Sequence, residues 1–183
     1  MTTWSEHMIA RAIALQTLAR KCVVLVDNCN WTGYECDVLG VTTDLRIIDV
    51  EVKISRADLK ADAKKDKWWH RRGWSDIEGP ERLRPWPEKV WKHYYAMPAD
   101  IWKPDLLDCL PNENSGILLL REQRSSVTPL AVHCERRAKP NKDAARLTPA
   151  QAIDIARLAN LRMWEAYKGI DALKKREMPG VAA

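Results

Sequence analysis

The sequence predicts an α/β sandwich: a mixed central sheet flanked by helices, with a long helix added at the C-terminal end. Three observations carry that prediction. Apolar and polar residues alternate without a slip through IIDVEVKIS, Ile47 to Ser55, which marks a strand. Helical patterns stand before the first strand and after the third. Short apolar runs recur along the chain and complete the order α-β-β-β-α-β-β-β-α.

The first helix is expected from Thr3, because Thr3-Trp4-Ser5-Glu6 fits a capping box with Glu6 at the third helical position. Met8, Ile9, Ala12, Ile13, Leu15 and Leu18 supply its apolar face, and it should end near Arg20 or Lys21. CVVLVDN, Cys22 to Asn28, is a buried strand by its β-branched run. YECDVLGV, Tyr34 to Val41, follows, then a short turn and the strand quoted above. Ser55-Arg56-Ala57-Asp58 opens a second helix that runs through DLKADAKKDKWW. His70 to Val90 is rich in Gly, Pro, Arg and Trp and reads as a long irregular loop. KHYYAMP is a strand closed by Pro98, and residues 115–136 hold a final β pair.

These elements place the core in residues 1–136, a polar linker in 137–147 and a helix in 148–178. Thr148 caps that helix, Pro149 takes its first position and Gln151 its third. Ala152, Ile155, Ala159, Met163, Ala166, Ile170 and Leu173 form one apolar stripe, suited to docking on the domain or on a second copy in a homodimer.

A chain of 183 residues that is 46% hydrophobic and 30% charged is that of a folded domain, not a disordered one. No apolar run is long enough for a membrane, and the N-terminus lacks the pattern of a signal peptide. Five scattered cysteines without ligand spacing read as reduced thiols, so the expected location is cytoplasmic. A net charge of +5 mildly favours a polyanionic partner.

The charged side of the hairpin raises a chemical question. A loop of Thr43-Asp44-Leu45 pairs Thr42 with Arg46, sets Asp37 opposite Glu51 and Glu35 opposite Lys53. A five-residue loop in the same register gives the same pairs, whereas an even loop turns Asp37 to the other face. Val38 must share the core side with Val50 and Val52, which favours the odd loop. Opposed residues have Cβ atoms about 4.5–5.5 Å apart, so two carboxylates there repel unless a divalent cation lies between them. Oxygen ligands suit Mg²⁺ or Mn²⁺. Lys53 lies two residues on, about 6.6 Å along the strand, within reach of a water held there. The residues alone admit both this site and a solvated face of cross-strand ion pairs.

Asp37, then Glu51-Val52-Lys53 on the next strand, with Glu6 on the helix before them, resembles the PD-(D/E)XK nuclease superfamily. The continuation EVKISRADLKAD…KKDKW, with the later YYAMP and GILLL strands, looks most like its small MmcB-like and phage-encoded members. The resemblance covers Thr3 to Arg136; Cys36 stands where the superfamily's name places proline. It implies a restriction-endonuclease-like fold and a Mg²⁺- or Mn²⁺-dependent deoxyribonuclease of DNA repair, recombination or phage DNA processing, leaving a 5′-phosphate. By the same resemblance Glu6, Asp37, Glu51 and the Val52 carbonyl would hold the metal, and Lys53 would position the attacking water. Asp49 and Glu35 match no required position.

Lys60, Lys64, Lys65 and Lys67, with Trp69, Arg71 and Arg72, are candidates for contact with DNA, arginine for phosphate and tryptophan for stacking on bases. The alternative is a solvated helix followed by a loop anchored on buried indoles. Two rivals to the enzyme stand beside it: a module on the same fold that binds DNA or protein without cutting, and a structural protein assembled through its last helix.

Overall fold

The computed structural model describes residues 3–70, 82–124 and 129–177. Strands β1 (Cys22–Cys29), β2 (Cys36–Thr42), β3 (Ile47–Val52), β4 (Val90–Pro98), β5 (Gly116–Glu122) and β6 (Leu130–Arg136) form one sheet in sequence order. The first three and the last two run antiparallel, while β3, β4 and β5 are parallel neighbours. The sheet is therefore mixed, as expected.

The β2–β3 hairpin sets the site. Val38 pairs with Val50 and Val41 with Ile47, the register expected from the shared core side. Thr42 N–H donates to the Arg46 carbonyl at 2.9 Å, closing the three-residue loop, and Leu45 takes the left-handed conformation such loops require (φ 61°). One step beyond Val38 and Val50, Asp37 falls opposite Glu51. Glu35 precedes β2 and is exposed.

Helix α1 (Glu6–Ile13) lies on one face of the sheet, where Ile9, Ala12 and Ile13 pack with Val38, Val50, Val52, Ala96 and Leu118. Its cap is Ser5, whose hydroxyl accepts the Met8 N–H at 3.3 Å, so Glu6 is the first helical residue and not the third. The helix passes into a π-turn over Ala14–Leu18. That wider turn carries Leu18, five residues after Ile13, back to the core and leaves Leu15 67% exposed. The expected apolar face is right except at Leu15, which the π-turn rotates outward.

Helix α2 (Arg56–Asp62) and helix α3 (Pro149–Glu177) lie on the other face. Ser55 caps α2, accepting the Asp58 N–H at 3.1 Å. The helix ends at Asp62, short of the run to Trp69 read from the sequence, and a separate 3-10 turn forms over Asp66–Trp68. The physical reason is below: the residues after Asp62 turn inward to pair with charges. For α3 the capping box is present, with Gln151 N–H on Thr148 Oγ1 at 3.2 Å and Thr148 N–H on Gln151 Oε1 at 2.9 Å. Its first turns bury Ala152 and Ile155 against Val26, Leu39, Val41 and Ile47. Residues 137–147 are pinned to the core through Lys139, Asn141 and Leu147 N–H groups on the Asn114, Trp91 and Leu45 carbonyls. No helix among the described residues is long and apolar enough to cross a membrane.

Candidate active site

β3 is buried on both faces. Asp49, Glu51 and Lys53, the polar side of the alternation, are 1%, 1% and 2% exposed. The face is not a solvated one; α2 and the turn after it cover it. Burying such groups unpaired would cost several kcal/mol each, and the sequence meets that cost with a dense ion cluster. Glu51 Oε2 accepts from Lys53 Nζ at 3.2 Å and from Lys65 Nζ at 3.0 Å, and Glu51 Oε1 meets Lys67 Nζ at 2.6 Å. Asp62, at the end of α2, faces the same ammonium groups: Lys53 at 2.9 Å, Lys65 at 3.1 Å and Lys67 at 3.9 Å. Asp62 Oδ2 also accepts from Tyr95 Oη at 2.6 Å and Trp68 Nε1 at 2.9 Å.

Burial alone would push the Glu51 and Asp62 carboxyls up. Lys67 and Lys53 reverse that, holding Glu51 down to about 2 and Asp62 well below the usual carboxylate range. Both are therefore charged across the physiological range. Lys67 is held above its ordinary value because Asp49, Glu51 and Asp62 outweigh its burial.

Asp37 has a different setting. Its Oδ2 accepts the Val52 N–H at 2.6 Å, fixing the carboxylate at the end of β3. Burial, then the charge of Glu51, pushes its pKa up to about 6. Asp37, Glu6 and Val52 line one small cavity of about 80 Å³, together with His7, Asp27 and Asn28. The structure thus brings three of the four expected metal-binding residues to one place. Glu51 points its oxygens into the lysine cluster instead.

Glu6 and Asp37 carry the donor type a hard divalent cation takes, and a Val52 carbonyl would add to it, so the cavity's residues suit Mg²⁺ or Mn²⁺ in kind; the third carboxylate, Asp27, is engaged by Arg162. Among the described residues no group of three or more Asp, Glu, His or Cys side chains is arranged to hold a metal ion. Glu51 accounts for the shortfall, since lysines already occupy both its oxygens.

A second buried pair adjoins the cluster. His93, fully buried on β4, bonds Ser115 Oγ through Nδ1 at 2.9 Å, and its Nε2 lies 3.7 Å from Asp49 Oδ2. Burial holds His93 down to about 3 and pushes Asp49 up to about 7. Trp68 and Tyr95 pack edge-on against the imidazole at 4.9 and 4.7 Å.

The candidates for DNA contact divide. Lys60 and Lys64 are exposed, and Lys65 is half exposed. Lys67 is 2% exposed and spent on Glu51, which corrects its assignment to a DNA-facing surface. Trp69 is partly buried with its indole N–H on the Ala63 carbonyl at 3.1 Å, which favours the anchoring reading of that indole. Arg71 and Arg72 lie outside the described residues. Sequence reasoning missed Asp62, Tyr95, Trp68 and His93. The available signal was an Asp inside the predicted helix, followed by Lys64, Lys65 and Lys67, which by itself looks like any helix-surface acid.

No protein-family model matches the chain, and no curated protein matches it. Among solved structures it is similar to a protein of unknown function from Silicibacter pomeroyi, with 22% identity and a TM-score of 0.52 over 100% of both chains. That likeness concerns the fold alone.

Proposed function

We propose that the chain is a divalent-cation-dependent DNA nuclease with a restriction-endonuclease-like core. The observation that carries this reading is the register of β2 and β3. It sets Asp37 opposite Glu51 and puts Asp37 on the Val52 amide, and Glu6 lines one cavity with Asp37 and Val52. Glu6, Asp37, Glu51 and the Val52 carbonyl would hold Mg²⁺ or Mn²⁺. A cation there supplies a polarised phosphate and a bound water of lowered pKa. Lys53, anchored between Glu51 and Asp62, offers a fixed ammonium for orienting water and balancing charge on the phosphate. Lys60, Lys64 and Lys65, solvent-facing cations that follow β3 in sequence, are the proposed phosphate contacts. Repair, recombination or phage DNA processing in a cytoplasm is the setting the reading implies.

A second reading, a module that binds DNA or protein without cutting, draws on the sealing of Glu51 and Lys53 by ion pairs. A homodimer through α3 is compatible with either, because Met163, Ile170 and Leu173 on the predicted stripe are 43%, 46% and 59% exposed.

The deciding assay offers labelled linear, single-stranded, flapped and branched DNA with EDTA, Mg²⁺ or Mn²⁺. Asp37→Asn is the preferred variant, since it leaves the lysine cluster intact; Glu51→Gln and Lys53→Met accompany it. Metal-dependent cutting that falls at least about 100-fold in Asp37→Asn is expected. DNA binding without cutting, unchanged by all three substitutions, would move the assignment to the binding module.

A further inference from the structure

We infer that Lys65 is an internal counter-ion that holds Glu51 Oε2 and must be displaced for that oxygen to take a divalent cation. The inference rests on the nuclease reading in one respect only, that Glu51 is a metal ligand.

Glu51 Oε2 and Asp62 Oδ1 are each bridged by the same two ammonium groups, at 3.2 and 2.9 Å from Lys53 and at 3.0 and 3.1 Å from Lys65. These four groups form a closed ring of alternating charge. Its two cations are not equivalent. Lys53 is 2% exposed, and so is Lys67, which takes the other Glu51 oxygen. Neither can leave without burying an unpaired charge elsewhere or carrying its own stem out through packed side chains. Lys65 is 49% exposed and lies on the short turn between α2 and the 3-10 turn, outside both elements. Its side chain can swing into water at little desolvation cost, leaving Glu51 and Asp62 still paired with Lys53 and Lys67.

The charge balance points the same way. With Lys65 in place, the three ammonium groups are matched by Glu51, Asp62 and Asp58, the last 3.8 Å from Lys53. Without it two ammonium groups face three carboxylates, an imbalance that favours a cation, and Glu51 Oε2 loses one of its two bonds. Lys65 thus stabilises the metal-free fold and weakens metal binding by competing for the same oxygen.

The test is Mn²⁺ titration of the metal-free full chain by calorimetry, with thermal melting to check each variant's fold. Lys65→Met removes the competing charge, and Lys65→Gln serves if Lys65→Met melts early. Lys64→Met removes the same charge from an exposed neighbour outside the cluster, and Lys65→Arg keeps the charge. Lys65→Met is expected to bind Mn²⁺ about tenfold more tightly than the native chain. Lys64→Met should change affinity less than about threefold, Lys65→Arg should not tighten it, and Glu51→Gln added to Lys65→Met should abolish the gain. Equal tightening by Lys64→Met and Lys65→Met would show long-range charge alone and overturn the inference while leaving the metal site standing. Absence of Mn²⁺ binding in every variant, Lys65→Met included, would overturn the metal reading and the inference with it.

Discussion

Glu51 faces three ammonium groups, two of them buried, so its loss is a structural event before it is a chemical one. Glu51→Ala should destabilise the chain by about 3–5 kcal/mol, read by urea unfolding, because the buried Lys53 and Lys67 would each lose their Glu51 partner and share Asp62, with Lys53 keeping only the longer contact to Asp58 besides. A cost below about 1 kcal/mol would show the cluster to be hydrated and loose. Asp37 and Asp49 carry the opposite linkage. Burial raises them to about 6 and about 7 from an ordinary 3.8, so between about pH 4 and 7 these two groups bind more protons in the folded chain than in the unfolded one, and their contribution to stability falls as pH rises. His93, held down to about 3 from 6.5, offsets one of them below about pH 6.5. Glu51, lowered to about 2, contributes stability that is complete above its unfolded value of about 4.5 and is lost as pH falls below it. The metal-free chain should therefore melt highest near about pH 5, and Asp49→Asn should flatten the decline from pH 5 to 8. Calorimetric scans across that range decide it; a melting temperature still rising at pH 8 contradicts both shifts. The placement of Asp37 opposite Glu51 on the β2–β3 hairpin was legible in the sequence because strand period and loop parity are local. That Lys67 belongs inside was not, because its partners Glu51 and Asp62 lie sixteen and five residues away, and a basic run gives no local sign of burial.

Elements were the most legible scale. Alternation located β3, the odd loop fixed its register, and capping residues located α2 and α3, since each signal depends on neighbours within about four residues. The π-turn after α1 was not legible, because its one-residue insertion is recognised only when Leu18 is found in the core and Leu15 outside it. The parallel core strands are sensitive at Gly116, which pairs with Tyr94 at the start of β5. A Cβ there would stand 2.4 Å from the Tyr94 ring and 2.6 Å from the Ala138 backbone nitrogen. The backbone of Ala138 cannot yield as a side-chain tip can. Gly116→Ala should cost about 1–3 kcal/mol and lower the melting temperature by several degrees. Cys22→Ala is its useful companion, since the 2.8 Å contact a Cβ at Gly40 would make is with the Cys22 sulfur; Gly40→Ala should be rescued by it, whereas nothing comparable relieves Gly116.

At the scale of the whole molecule, α3 is one helix with two environments. Its first three turns are part of the fold: Ala152 and Ile155 are buried, Leu158 and Ala159 pack beside them, and the Arg162 guanidinium donates to the carbonyls of Asp27 and Asn28. Beyond that point Trp164, Tyr167, Ile170 and Leu173 are 62%, 51%, 46% and 59% exposed, although the stripe continues unbroken in the sequence. Periodicity shows that a helix has an apolar face; it does not show where the domain beneath it stops. Ending the chain after Ala166 should therefore keep the melting temperature within about 3 °C of the full chain, because residues 167–174, the part removed whose burial is described, are exposed. Ending it after Leu147 strips the cover from Val26, Leu39, Val41 and Ile47 and should cost at least about 3–5 kcal/mol, seen as a broad, early melt or as insolubility. Light scattering on the same two truncations tests assembly. The homodimer reading requires the mass of the full chain to be twice that of one copy and the Ala166 truncation to fall to one copy while staying folded. An unchanged mass in the Ala166 truncation would place the assembly surface elsewhere and leave the distal half of α3 outside both fold and dimer.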